Sequence, residues 1–331
     1  MHRRPPLRLV SAAVLLGTCA AVAICRVIAP RNIVMVGLAT MSPVAIILAG
    51  VAALACLSAL ARDRARWAPW MLAISGGFMV LHLVWFAPAV VGGQPPRPPG
   101  ATPLRVMSIN MLGGRADASQ IVEVARRANV DILVALEITD GGLRNLRDAD
   151  ISRLLPYRYG AAAPSPAGTM VFLRERAGPV VQLATSLGGL SLTTAVRGLP
   201  VRIVAAHPAS PADFARWRSD LHAVAEAAAT TSADLVIGDL NATVDTRPLR
   251  DLMARGGYRD GAELANIGWE PTFPANGVRR RLGIPIPAIL PIDHVLVRAD
   301  GGADRVRLVG IRDTDHAGVI ADVWIPATGR G

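Results

Sequence analysis

Three long apolar runs, residues 9–28, 33–60 and 67–91, decide what the first hundred residues can become. Each reaches the ~20 residues that carry a helix across a bilayer core of ~30 Å. The second has no charged residue in 28 positions, about 42 Å as one helix, so it is expected to tilt or to end in the interface. A cleaved secretory leader accounts for the first run alone. Two further runs behind it favour an uncleaved three-helix anchor over residues 1–91.

Arginine placement orients that anchor. Lys is absent, so all 35 basic residues are Arg. Arg3, Arg4 and Arg8 precede the first run, and Arg62, Arg64 and Arg66 separate the second from the third. Between the first and second runs stands only Arg31, with Arg26 nearby. The positive-inside rule puts the N-terminus in the cytoplasm and everything after the third run on the outer face of the cytoplasmic membrane. Trp67, Trp70 and Trp85 suit interfacial anchoring. His82 reads as a neutral histidine hydrogen-bonded between helices.

Charge is uneven. Before Ala101 there are nine Arg and one acid, net +8; from Ala101 onward 26 Arg face 24 acids, net +2. The outer part therefore lacks the strongly basic balance of a typical nucleic-acid face. Cys19, Cys25 and Cys56 all lie in the apolar region, which excludes a disulfide framework downstream. Residues 92–102, with four Pro in the five positions 95–99, apart from Arg97, read as an extended, semi-rigid linker.

Residues 103–327 form the outer domain. Segments 104–110, 131–137, 169–173, 180–185, 190–196, 201–206, 235–237, 292–297 and 319–325 have strand patterns. Helices are expected after Asp117, with Gln120 in capping-box position, over 211–229 with Pro211 in its first turn, and over 246–255 up to Gly256-Gly257. Many strands and few helices predict two packed sheets with helices outside. The polar residues cluster at strand ends: Asn110, Glu137, His207, Asp239, Asn241, Asp293, Asp315 and His316. If the backbone stays extended past Gly238, Asp239 and Asn241 face one side; the alternative is an Asx-type turn. No His-x-x-x-His pair and no Gly-x-Ser-x-Gly elbow occurs, which argues against a common zinc site and a serine nucleophile. Oxygen ligands with few imidazoles suit a hard cation, Mg²⁺ or Mn²⁺, and that cation suits phosphate-ester hydrolysis.

The series Ser108-Ile109-Asn110, Leu136-Glu137, His207-Pro208, Gly238-Asp239-Leu240-Asn241, Ile292-Asp293-His294 and Thr314-Asp315-His316 resembles the endonuclease/exonuclease/phosphatase (DNase I-like) family. The short anchor and the Asn-Ala-Thr after Asp239 look like its membrane-bound branch, the vancomycin/teicoplanin-resistance VanJ type. The resemblance implies an α/β fold, a four-layer α/β/β/α sandwich with the site at one end of the sheets. It implies that Glu137 binds the metal with Asn110 beside it, and that Asp315 is a further metal-side carboxylate. It implies that Asp239 activates water, that Asn241 and His207 hold phosphate oxygens, and that Asp293 orients His316. Two departures stand out. Leu136 replaces the Gln that often precedes the metal Glu, and Thr314-Asp315-His316-Ala317 replaces Ser-Asp-His-Pro.

Three functions are consistent with these residues. One is a membrane-integral phosphoesterase acting on a phosphorylated lipid or envelope substrate, with a link to glycopeptide resistance. The second is an outer-face nuclease, less favoured by charge, and the third a non-catalytic binder of phosphorylated ligands. No obligate protein partner is evident. His294 is expected to face away from Asp293 and be structural, His222 to be exposed, and Asp245 and Asp251 to be helix-start charges. The Arg-rich, Pro-rich stretch 279–290 is either a loop packed back on the domain or a lip that meets anionic headgroups.

Overall fold

The computed structural model describes residues 7–63, 65–164 and 166–327. Arg3, Arg4 and Arg64, used above in the charge argument, lie outside the described residues. The chain forms two compact units, one up to Pro88 and one from Ala89 onward, with Val244–Arg247 grouping with the first.

In the first unit, α1 (Leu7–Val27), α3 (Ser42–Asp63) and α4 (Ala68–Phe86) are long and apolar enough to cross a membrane. Their buried faces are built from small residues, among them Ala12, Ala45, Ala49, Ala52, Cys56 and Ala59, which let the helix backbones approach closely. Their outward faces carry exposed Val14, Ile47, Leu54 and Val84, an apolar surface suited to lipid. The second apolar run is not one helix. It divides into α2 (Ile33–Thr40) and α3, because Pro43 lacks the N–H and crowds the turn before it, so the helix restarts after Met41. Pro88 likewise separates α4 from the short α5 (Pro88–Val91). His82 is fully buried with its Nδ1 3.1 Å from the Ser42 hydroxyl, as a histidine between helices should be.

The second unit is a sandwich of two six-stranded sheets. The chain runs β1 (Thr102–Asn110), α6 (Ala118–Arg127), β2 (Ile132–Leu136), α7 (Asp140–Asp148), α8 (Ile151–Leu154), β3 (Tyr157–Ala161), β4 (Thr169–Leu173), β5 (Ala177–Gln182), β6 (Gly189–Val196) and β7 (Leu199–Ala206). It continues through α9 (Phe214–Thr230), β8 (Leu235–Asp239), α10 (Arg247–Gly256), β9 (Tyr258–Asp260), α11 (Gly261–Leu264), β10 (Arg280–Arg281), β11 (Ile284–Pro285), β12 (Asp293–Arg298), β13 (Gly302–Val309) and β14 (Gly318–Ile325). One sheet has the order β13-β14-β1-β2-β4-β3, the other β5-β6-β7-β8-β12-β9.

Strand alternation assigns the layers. Leu104, Val106, Ile132, Val134 and Leu136 point between the sheets and meet Leu190, Leu192, Ile203, Leu235 and Val295 from the other side. Met107, Ile109, Leu133 and Ala135 point outward under Ile121, Val122 and Ala125 of α6 and Leu146 of α7. On the far side α9 buries Trp217, Leu221, Val224 and Ala228 and packs beside β7. Each sheet holds one parallel pair, β1 with β2 and β7 with β8, joined by the crossover helices α6 and α9. Their neighbours β14 and β12 run antiparallel to them. The C-terminal ends of β1, β2, β7 and β8 and the starts of β12 and β14 therefore lie at the same ends of their sheets.

Several local expectations are refined. Asp117 caps α6 by accepting from the Gln120 N–H at 2.9 Å, but the Gln120 side chain does not reach back. It donates to the Gly310 carbonyl and accepts from the Arg312 N–H, tying α6 to the chain before β14. The helix expected from Pro211 starts at Phe214 instead, because Asp213 supplies the cap by accepting from the Arg216 N–H. The Pro-rich segment is held on the second unit. Arg259 donates to the carbonyls of Gly92 and Gly93, and Gln94 Oε1 accepts from the Ala303 N–H at 3.0 Å.

Candidate active site

Gly238 sets how closely the two halves of the site approach. Its φ is +149°, and a Cβ there would lie 2.0 Å from the Ala206 carbonyl oxygen. Only glycine lets β7 and β8 close up where His207 and Asp239 emerge. His207 Nε2 consequently stands 3.6 Å from Asp239 Oδ2, both side chains being buried.

Asp239 is the focus of the remaining groups. Asn110, the last residue of β1, donates through Nδ2 to Asp239 Oδ2 at 3.1 Å and to Glu137 Oε1 at 3.0 Å, so one amide bridges two carboxylates. The Asn110 Oδ1 accepts from the Leu112 N–H at 2.9 Å, which fixes the amide's orientation. Glu137 follows β2 with φ +53°, a left-handed conformation that a non-glycine residue adopts at a cost of about 1 kcal/mol or more. That turn aims its carboxylate at Asn110 and at the Gly113 N–H, 3.0 Å away. Backbone strain at a carboxylate held by directed hydrogen bonds is a feature of functional sites.

Asp293 opens β12 directly opposite Asp239 in register. Its Oδ2 lies 2.8 Å from His316 Nδ1, while His316 Nε2 lies 3.6 Å from Asp239 Oδ2. Asp239, Asp293 and His316 thus place three ligand-type atoms within 4.8 Å of one another. Burial by itself pulls the His316 imidazole down, but the carboxylates of Asp293 and Asp239 overcome it and lift the pKa to about 10. Burial and the neighbouring Asp293 charge push the Asp239 carboxyl up. Burial also opposes ionisation of Asp293, yet His316 beside it holds its carboxyl below the usual range. The arrangement is a buried imidazolium between two carboxylates, one hydrogen-bonded and one at contact distance.

Asn241 is placed differently from the same-face expectation. β8 ends at Asp239, and Asn241 has φ +49°. Its backbone N–H donates to Asp239 Oδ1 at 2.9 Å, an Asx turn, and its side-chain Nδ2 donates to the Pro208 carbonyl at 3.0 Å. The turn and the site are the same feature: the backbone of Asn241 orients the Asp239 carboxylate. Trp217 Nε1, from α9, holds the Asn241 carbonyl at 3.0 Å.

Asp315 is buried, but its Oδ2 pairs with Arg279 at 2.5 Å and not with any of the other seven. Thr314 supplies the hydroxyl that the expected Ser would, donating to the Asn110 carbonyl at 2.7 Å and accepting from the His316 N–H at 3.2 Å. Leu136, in place of Gln, lies in the core between the sheets.

Three supporting residues escaped the sequence reading, and a fourth, Arg279, enters it only as part of a loop or lip. Thr272 Oγ1 accepts from the N–H groups of Ile292 and Asp293. The Phe273 ring packs on His316 with centroids 4.8 Å apart. Asn276 Nδ2 donates to the carbonyls of Thr314 and His316, and Arg279 pairs with Asp315. The Pro-bracketed Thr-Phe pair was a usable signal for the first two; nothing in the local pattern marks Asn276.

The donor set fits a hard divalent cation. Oδ1 of Asp293 and Oδ1 of Asp315 are buried without a hydrogen-bond partner, and an orphaned carboxylate oxygen in such a place suits a metal. His294, by contrast, faces away from the cluster. Its Nδ1 meets Asp260 Oδ2 at 2.5 Å and its Nε2 the Ala242 carbonyl at 2.8 Å. Exposed His222 pairs with Glu226, one turn on along α9.

Comparison with known proteins agrees with this geometry. A search of curated proteins returns no match. Among solved structures, D. rerio TDP2 complexed with single strand DNA product superposes with a TM-score of 0.55 at 15% identity, covering 67% of this chain and 99% of that one. An endonuclease/exonuclease/phosphatase from Beutenbergia cavernae DSM 12333 gives 0.52 at 19% identity, covering 67% and 71%. These likenesses establish a shared fold, the DNase I-like sandwich. Residues 107–316 match the sequence profile described as Endonuclease/Exonuclease/phosphatase family. That match spans more than half of the chain and all eight site residues from Asn110 to His316, and the chain belongs to the endonuclease/exonuclease/phosphatase family.

Proposed function

We propose that this chain is a membrane-anchored, divalent-metal-dependent phosphoesterase that works on the outer face of the cytoplasmic membrane. Its substrate in this reading is a lipid-linked or other envelope phosphate ester or pyrophosphate. The observation that carries the catalytic part is the Asp293–His316–Asp239 array, with Asn110 joining Asp239 to Glu137.

The residues divide the work by charge and burial. Asp239, pushed up by burial and held by Asn110 and the Asn241 N–H, accepts a proton from water as that water adds to phosphorus. His316, kept protonated by Asp293, gives its proton to the oxygen whose bond to phosphorus breaks. His207 offers Nε2 to a phosphoryl oxygen beside Asp239. Glu137, with Asn110 beside it, and the free oxygens of Asp293 and Asp315 would hold Mg²⁺ or Mn²⁺. A cation bound there neutralises charge that develops on the phosphoryl group.

The anchor supports the lipid part. A domain tethered by a short linker to spanning helices meets a two-dimensional substrate at high effective concentration. Arginine placement supports the outer face. The resemblance to the vancomycin/teicoplanin-resistance branch extends the proposal to glycopeptide resistance, read out as susceptibility of an expressing strain. Nuclease activity is the second reading, because the D. rerio relative was solved with single strand DNA product. The full chain in lipid nanodiscs, with Mg²⁺ or EDTA, is assayed on a lipid pyrophosphate, a phosphodiester lipid and plasmid DNA, with Asp239→Asn as control. Plasmid cleavage without lipid turnover would replace the first reading by the second. Inactivity on all three substrates would leave a binding protein.

A further inference from the structure

A two-residue turn carries a leucine where turn chemistry calls for asparagine. β10 and β11 form a small hairpin joined by Leu282-Gly283, with φ of +50° and +79°. Two positive φ values in a two-residue loop are those of a type I′ turn, which favours Asn-Gly or Asp-Gly. Leu282 accepts left-handed strain and is 96% exposed, so neither folding nor solvation explains it. Ile284 beside it is 70% exposed, and Ile286 and Ile289 are also on the surface. Arg280 and Arg281 flank the tip, and neither forms an ion pair among the described residues. An apolar tip beside cations that no carboxylate neutralises fits an anionic bilayer surface, with side chains in the acyl region and guanidinium groups at phosphates.

The feet of the same segment stand on the site. Arg279 pairs with Asp315 and lies 6.0 Å over the Phe273 ring, which packs on His316. At the other foot Leu290 exchanges backbone hydrogen bonds with Phe273.

We propose that the 279–290 hairpin is a lipid-docking element that seats the active site on an anionic membrane surface. It rests on the N-terminal helices being membrane spans and not on hydrolysis, because docking is read without turnover. The full chain, with Cys19, Cys25 and Cys56 changed to Ala and bimane on Ile284→Cys, is placed one copy per nanodisc. Discs are phosphatidylcholine alone or with an equal part of phosphatidylglycerol, each with or without brominated acyl chains. Blue-shifted emission and bromolipid quenching are expected in the phosphatidylglycerol discs. Leu282→Asn, which suits the turn better and so spares the fold, should abolish the quenching. Arg280→Gln with Arg281→Gln should lower the docked-to-undocked ratio on the order of tenfold to thirtyfold, since each Arg near such a surface is worth about a factor of five. Absence of quenching, quenching indifferent to both sets of changes, or shielding of the label only when two copies share a disc would each overturn the proposal.

Discussion

His316 Nε2 lies 3.6 Å from Asp239 Oδ2, the same oxygen that His207 Nε2 reaches at 3.6 Å and Asn110 Nδ2 at 3.1 Å. One carboxylate oxygen thus faces two imidazoles and an amide inside the protein. Asp293, opposite it on the neighbouring strand, is paired with His316 at 2.8 Å. The pair divides into an acid kept charged and an acid kept hard to ionise, the separation that assigns acid and base roles.

Asp239→Asn should lower kcat/KM by about 10²- to 10⁴-fold, the range for loss of a positioned base. Burial and the Asp293 charge disfavour the ionised carboxylate, which offsets the loss of one of its two accepted hydrogen bonds, so the change in melting temperature should be small. Steady-state kinetics beside a thermal melt checks both parts; a variant that keeps its rate removes Asp239 from the chemistry.

The Asp293–His316 contact predicts the alkaline side of the pH profile. With its pKa lifted to about 10, His316 stays protonated through neutrality, and activity should fall only as pH approaches that value. Asp293→Asn removes the larger of the two carboxylate effects, so the alkaline limb should move to lower pH. The neutral rate should fall by about 10²-fold or more. A pH–rate profile of both proteins decides it, and an unmoved limb would separate Asp293 from His316.

Much of this site was legible because it lies at strand ends. The runs ending at Asn110, Glu137, His207 and Asp239 are mostly apolar, broken only by Arg105 and Ser108 in the first and Arg202 in the third, so each polar terminus stands out, and the parallel pairs bring them to one end. Reading stopped where single atoms decide. For Asn241 a shared face with Asp239 and an Asx-type turn both stood open; its φ of +49° selects the turn, which sets its backbone N–H, not its amide, on the carboxylate. Thr272 and Asn276 act through one hydroxyl and one amide in irregular chain, where no periodicity marks a position. Pro43 lies inside an unbroken apolar run, where hydropathy alone does not show that it splits the helix.

Glu137 should govern metal dependence. EDTA is expected to abolish activity and Mg²⁺ or Mn²⁺ to restore it. Glu137→Gln should raise the metal concentration for half-maximal rate at least tenfold, because the amide has lost its charge but keeps the partner Asn110. The titration is run at saturating substrate. An unchanged metal requirement would place the cation at Asp293 and Asp315 without Glu137.

His294 offers a stability test away from the chemistry. Both its neighbours, the Asp260 carboxylate and the Ala242 carbonyl, are acceptors, so both ring nitrogens must donate and the imidazole is a buried cation. Burial pulls its pKa down, but Asp260 outweighs that and the pKa stands above the ordinary value. A folded-state pKa above the unfolded one means stabilisation that is complete below about pH 6.5 and fades as pH rises through the folded value. His294→Asn breaks the pair and leaves Asp260 buried, a loss of about 3 kcal/mol or more at the acid end of that window. The gap in melting temperature between wild type and His294→Asn should therefore be widest below about pH 6.5 and narrow as the pH rises. A gap of constant size from about pH 5 to about pH 10 would mean that His294 is neutral and that its role is packing alone.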